Sequence, residues 1–90
     1  MRVQINSIRN DGDVVVVSGI YETMSRTVIF VYRSGMYSKK QRFLGVKFYR
    51  NMVDMMRQND CELLSDTDRY HVSDIAEESI KNERRARRVS

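Results

Sequence analysis

Ninety residues with 41% hydrophobic and 31% charged side chains make one small folded domain, with no room for a second core. Apolar runs such as 14–17 fall far short of the ~20 residues that cross a bilayer, no secretory signal is read at the N-terminus, and Cys61 is a lone cysteine without an internal disulfide partner. The chain is therefore expected to have no membrane partner and to suit a reducing, cytoplasmic compartment, while a net charge of +4 and a pI near 9.5 permit a polyanion.

The first third reads as strands. Val3, Ile5 and Ile8 sit among polar neighbours, and Asn10-Asp11-Gly12-Asp13 supplies hairpin chemistry, because an Asp-Gly pair tolerates positive φ. Residues 14–17 with Ile20 and Tyr21 are β-branched or aromatic, and Gly19 marks a bulge or a close backbone approach. After a polar link over 22–26, the run Thr-Val-Ile-Phe-Val-Tyr at 27–32 is the best strand in the chain. It is apolar on both faces, which calls for cover on both sides. Short links between three consecutive strands predict an antiparallel meander over residues 2–33.

Ser34-Gly35 ends the sheet, and Ser38 is read as the cap of a long helix over 39–58. At 100° per residue, Leu44, Val46, Phe48, Tyr49, Met52, Val53, Met55 and Met56 fill an arc of roughly 200°. In this reading Leu44, Phe48, Met52 and Met56 face inward. Lys39, Lys40, Lys47, Arg50 and Arg57 line the other side as a basic ridge. So wide an apolar arc exceeds what one small sheet covers, which points to a homodimer. Residues 61–72 suggest a small hairpin. A second helix is expected from Ser73 or Asp74, with Asp74 and Glu77 forming a capping box. The predicted class is α+β: a three-stranded antiparallel meander packed on one long amphipathic helix, with a second C-terminal helix. The domain is assigned to 1–83 and a basic, frayed tail to 84–90.

Charge is segregated along this order. Residues 1–58 carry ten bases against four acids, 59–83 carry two bases against eight acids, and 84–90 add four arginines. The modest total understates the local fields. Catalytic chemistry has little to build on. His71 is the only histidine, Cys61 and His71 lack further partners at zinc spacing, and the four glycines form no phosphate-cradling loop. Asp66, Asp68, His71 and Asp74 lack the glycine and terminal glutamate of a calcium loop. No enzyme activity, cofactor or metal is expected.

Nucleic acid is the expected partner. The candidate contacts are Arg33, Lys39, Lys40, Arg42, Lys47 and Arg50 around the strand–helix junction and helix face, with Arg84, Arg85, Arg87 and Arg88 in the tail. Tyr21, Phe30, Tyr32, Tyr37 and Tyr49 are candidates for base stacking if exposed. Three strands followed by Gly35-x-x-Ser38-Lys39-Lys40 at a helix start resemble the end of a double-stranded RNA-binding domain. The resemblance covers residues 14–58 and implies that Lys39 and Lys40 grip phosphates across a groove. The chain departs from that family in lacking a helix before the strands and in placing Phe43, Leu44, Val46 and Phe48 where the family has small alanines. The three-strand-plus-helix order is equally similar to integrase arm-binding and plant AP2-type DNA-binding domains, which present the sheet to DNA. The alternative class is a small viral or mobile-element protein-interaction module, a regulator or inhibitor of a host protein. Its six methionines and mixed charge blocks suit that role.

Overall fold

The computed structural model of the chain describes residues 1–35, 43–61 and 64–89, the side chains of 43, 44 and 87–89 excepted. Four strands, β1 (Arg2–Asp11), β2 (Val14–Glu22), β3 (Thr27–Gly35) and β4 (Phe43–Tyr49), are followed by a short helix α1 (Met52–Met56) and a long helix α2 (Asp66–Val89). The strands form one antiparallel sheet in sequence order. The class is α+β, and the meander expected over 2–33 is present with one strand more.

Local chemistry explains the turns. The β1–β2 loop is Gly12-Asp13, flanked by the pair Asp11 and Val14, and Gly12 takes φ 63°. A two-residue hairpin loop demands that region of the backbone map. Between β2 and β3 the Thr23 hydroxyl accepts from the backbone N–H of Ser25 at 3.3 Å and of Arg26 at 3.1 Å, closing the turn. Gly19 lies opposite the bulge between Ile5 and Ser7. A Cβ there would stand 1.9 Å from the Gln4 carbonyl oxygen and 2.9 Å from the Phe30 ring, so only glycine fits.

Alternation sorts the side chains onto two faces. Val15, Val17, Tyr21, Val28, Phe30, Tyr32, Val46 and Phe48 point to one side, where they form the core with Cys61, Leu64, Val72, Ala76 and Ile80. Val72, Ala76 and Ile80 recur every four residues along α2 and give it one apolar stripe, thin but continuous. Two buried tyrosines from the sheet clamp the helix further: Tyr21 donates to Asp68 at 2.5 Å, and Tyr32 donates to Glu77.

Three expectations are corrected. Residues 43–49 are a strand, not the front half of a long helix: Val46 and Phe48 turn inward while Lys47 and Tyr49 turn outward, pairing with β3 from Ile29 to Ser34. β3 has unpaired backbone N–H and C=O groups along the edge away from β2, and pairing of 43–49 with that edge satisfies them and outweighs the helical moment of the segment. Phe48 is buried as expected, whereas Met52 and Met56 are exposed. With the long helix goes the 200° arc that argued for a homodimer. Residues 66–72 belong to α2 rather than to a hairpin, and the helix start is eight residues earlier than Asp74. Its capping pair is Ser65 and Asp68: the Ser65 hydroxyl accepts from the Asp68 N–H at 3.3 Å, and the Asp68 carboxylate accepts from the Ser65 N–H at 3.2 Å. The backbone of α2 is helical to Val89.

Candidate nucleic-acid interface

The side of the sheet turned away from α2 is only partly covered. Reading across the strands, one row is Arg9, Val16, Arg33, Gly45 and the next is Ser7, Ser18, Val31, Lys47. A third row, Ile20, Ile29, Tyr49, ends against α1, where Met55 packs on a small cluster of Val16, Val31 and Tyr49. Strands lie about 4.8 Å apart, so Arg9 and Arg33 stem from backbones about 10 Å apart with Val16 between them. Lys47 stands one strand beyond Arg33 and about 7 Å along the sheet.

Ser7, Arg9, Val16, Ser18, Val31, Arg33, Lys47 and Tyr49 line a groove of about 590 Å³, walled by Met55 of α1 and by Gln58 just after it. Among the described residues three cations converge on it, and no aspartate or glutamate lines it. Among the described residues Arg9, Arg33 and Lys47 take part in no ion pair. Ser7 and Ser18 add neutral hydrogen-bonding groups between the charges. Such a surface offers unspent N–H donors to phosphate oxygens, and its apolar floor lowers the local dielectric around them.

Arg9 also lines a smaller cleft, about 120 Å³, on the other side of β1, together with Glu83 and Arg84. Arg84 therefore stands near Arg9 at the edge of the sheet, with the Glu83 carboxylate in the same cleft. The opposite flank has the other sign. Residues 66–81 of α2 contain five acids and two bases, with Asp66, Asp74 and Glu78 exposed.

Of the residues singled out from sequence, Arg33 and Lys47 meet in the groove, on strands rather than on a helix face. Arg50 follows β4, and its Nε binds Asp54 at 2.7 Å, which raises its pKa above the ordinary arginine value through that hydrogen bond and charge. Asp54 is buried, and its N–H is capped by Asn51, so this pair fixes α1. Arg84 and Arg85 are exposed on α2. Lys39, Lys40 and Arg42 lie outside the described residues, as do Ser38 and Tyr37, and so do the side chains of Arg87 and Arg88. The proposed basic ridge on a helix is corrected, because residues 43–49 are strand. The junction behind the double-stranded RNA-binding resemblance, Gly35-x-x-Ser38-Lys39-Lys40, lies outside the described residues beyond Gly35. Tyr21, Phe30, Tyr32 and Tyr49 are all buried, so none presents an open ring, and the exposed aromatic among the described residues is Tyr70 on α2.

Arg9 was missed. The signal was available: the Gly12-Asp13 loop fixes Asp11 opposite Val14, which sets Arg9 opposite Val16 on the same face as Arg33. Among the described residues no group of three or more His, Cys, Asp or Glu could hold a metal, and no helix is long and apolar enough to cross a membrane. Comparison with protein-family models, curated proteins and solved structures finds no match.

Proposed function

We propose that this chain is a non-enzymatic nucleic-acid-binding protein that holds a phosphate backbone on the open face of its sheet. Arg9, Arg33 and Lys47 make the backbone contacts, and Arg84 and Arg85 add positive charge from α2. The observation that carries the reading is the convergence, among the described residues, of three cations without ion-pair partners on one groove that no described carboxylate lines. The acids on α2 support it, because a charge-segregated molecule turns its basic side toward a polyanion before contact.

Counterion release gives a direct test. Three phosphate contacts correspond to a log–log slope of affinity against salt of roughly −2 to −3. Replacing Arg9, Arg33 and Lys47 together by glutamine should flatten that slope and weaken binding on every sequence, since backbone contacts carry no base information. An unchanged slope would remove the groove from the interaction.

A second reading, self-association, is favoured by the same charge segregation, because the basic sheet face of one copy complements the acidic flank of α2 on another. It predicts a mass that rises above the monomer's at low salt in light scattering and returns to it at high salt, with no nucleic acid present.

A further inference from the structure

We infer that the groove takes unpaired rather than duplex nucleic acid, and that α1 supplies the surface on which its bases rest; this rests on the reading above. The reason lies in what adjoins the cations. In α1, Met55 faces the groove, and at 100° per residue Met52, Met56 and Val53 follow it as one continuous apolar arc, with Asp54 on the far side. Met55 is packed, but Met52, Val53 and Met56 are 57%, 55% and 79% exposed. The Asn51 cap and the Arg50–Asp54 pair hold this helix in place, so those side chains are presented on a fixed turn. Met55 lines the groove with the cations, and the exposed arc continues from it around α1.

A duplex presents phosphates and keeps its bases stacked inside, leaving that apolar wall without a partner. A single strand presents both chemistries at once: phosphates to Arg9, Arg33 and Lys47, and unstacked base faces to the thioether side chains, which are polarizable and adaptable. Base contact of this kind is sequence-tolerant, because every base has an apolar face.

The experiment compares a fluorescent DNA strand of about 12 nucleotides, inside the size range of single-strand grooves, with the same strand annealed to its complement. The chain should bind the single strand at least about tenfold more tightly at one salt concentration. The double variant Met52→Ser, Met56→Ser removes exposed side chains and should leave the melting temperature unchanged. It should weaken single-strand binding severalfold while duplex binding and the salt slope stay as they were. Equal affinity for the two forms, or a double variant that binds like the parent, would overturn the inference and leave the groove as a plain phosphate site. Failure of the parent to bind either form would overturn the nucleic-acid reading itself, and with it this one.

Discussion

Two tyrosine hydroxyls tie α2 to the sheet, and their titration limits stability from both ends. Tyr21 is pushed up to about 12, first by burial and then by its hydrogen bond to the Asp68 carboxylate. A raised value in the folded chain means its contribution is complete below the ordinary 10 and is lost as pH rises through about 12. Tyr32 is raised in the same direction by burial and by Glu77. Asp68 is held below the ordinary carboxylate value, chiefly by the Tyr21 hydroxyl, so its contribution is complete above 3.8 and fades as pH falls further. Thermal melts should therefore show a drop between pH 10 and about 12 that is smaller in Tyr21→Phe than in the parent. Gly19 acts through space rather than charge. Gly19→Ala drives a methyl into the Gln4 carbonyl, which something in β1 must yield to, and should cost ~3 kcal/mol or more in urea unfolding. Ser73 runs the other way. Among the described residues its hydroxyl is the buried side-chain oxygen or nitrogen without a hydrogen-bond partner, so Ser73→Ala should stabilise by ~1 kcal/mol.

At the scale of elements, α2 covers a whole sheet face with little apolar surface of its own, and it does so because its stripe is regular and its start is fixed. Ser65→Ala removes one half of the capping box and should cost ~1 kcal/mol, visible as a lower urea midpoint at unchanged slope. Phe48→Ala leaves a cavity beneath α2 and should cost ~3–5 kcal/mol by the same assay. The first three strands were legible because β-branched alternation and turn residues agree with the tertiary outcome at Gly12, Gly19 and Thr23. The fourth was not. Val46-Lys47-Phe48-Tyr49 has the two-residue period of a strand, yet the methionines that follow give the longer window a helical period. What decides between them is the edge of β3, a partner distant in sequence. The start of α2 was missed for a local reason: Ser65-x-x-Asp68 caps with aspartate in the third position, where the Asp74–Glu77 pair matches the commoner pattern. The candidate site was half legible. Residue type identified Arg33 and Lys47, but only strand register brings Arg9 beside them and sets Arg50 to stabilising α1.

At the scale of the whole molecule, among the described residues, the fold places the acid-rich stretch 66–81 of α2 and the three groove cations on opposite sides of the sheet, while α2 in full carries six acids and six bases. One face of the sheet binds α2 and its acids; the other carries cations over an apolar floor. This arrangement predicts that association with a polyanion is steered, with an on-rate that falls steeply as salt rises, whereas dissociation depends on groove contacts. Stopped-flow mixing at two salt concentrations separates the two effects. The most direct test of the central claim is a titration of the ¹⁵N-labelled chain with a short DNA strand, followed by amide chemical shifts. The account predicts that the largest shifts fall on Ser7, Arg9, Ser18, Val31, Arg33 and Lys47, with α2 from Asp66 to Glu78 silent. Shifts concentrated on α2, or absent from the open sheet face, would contradict it.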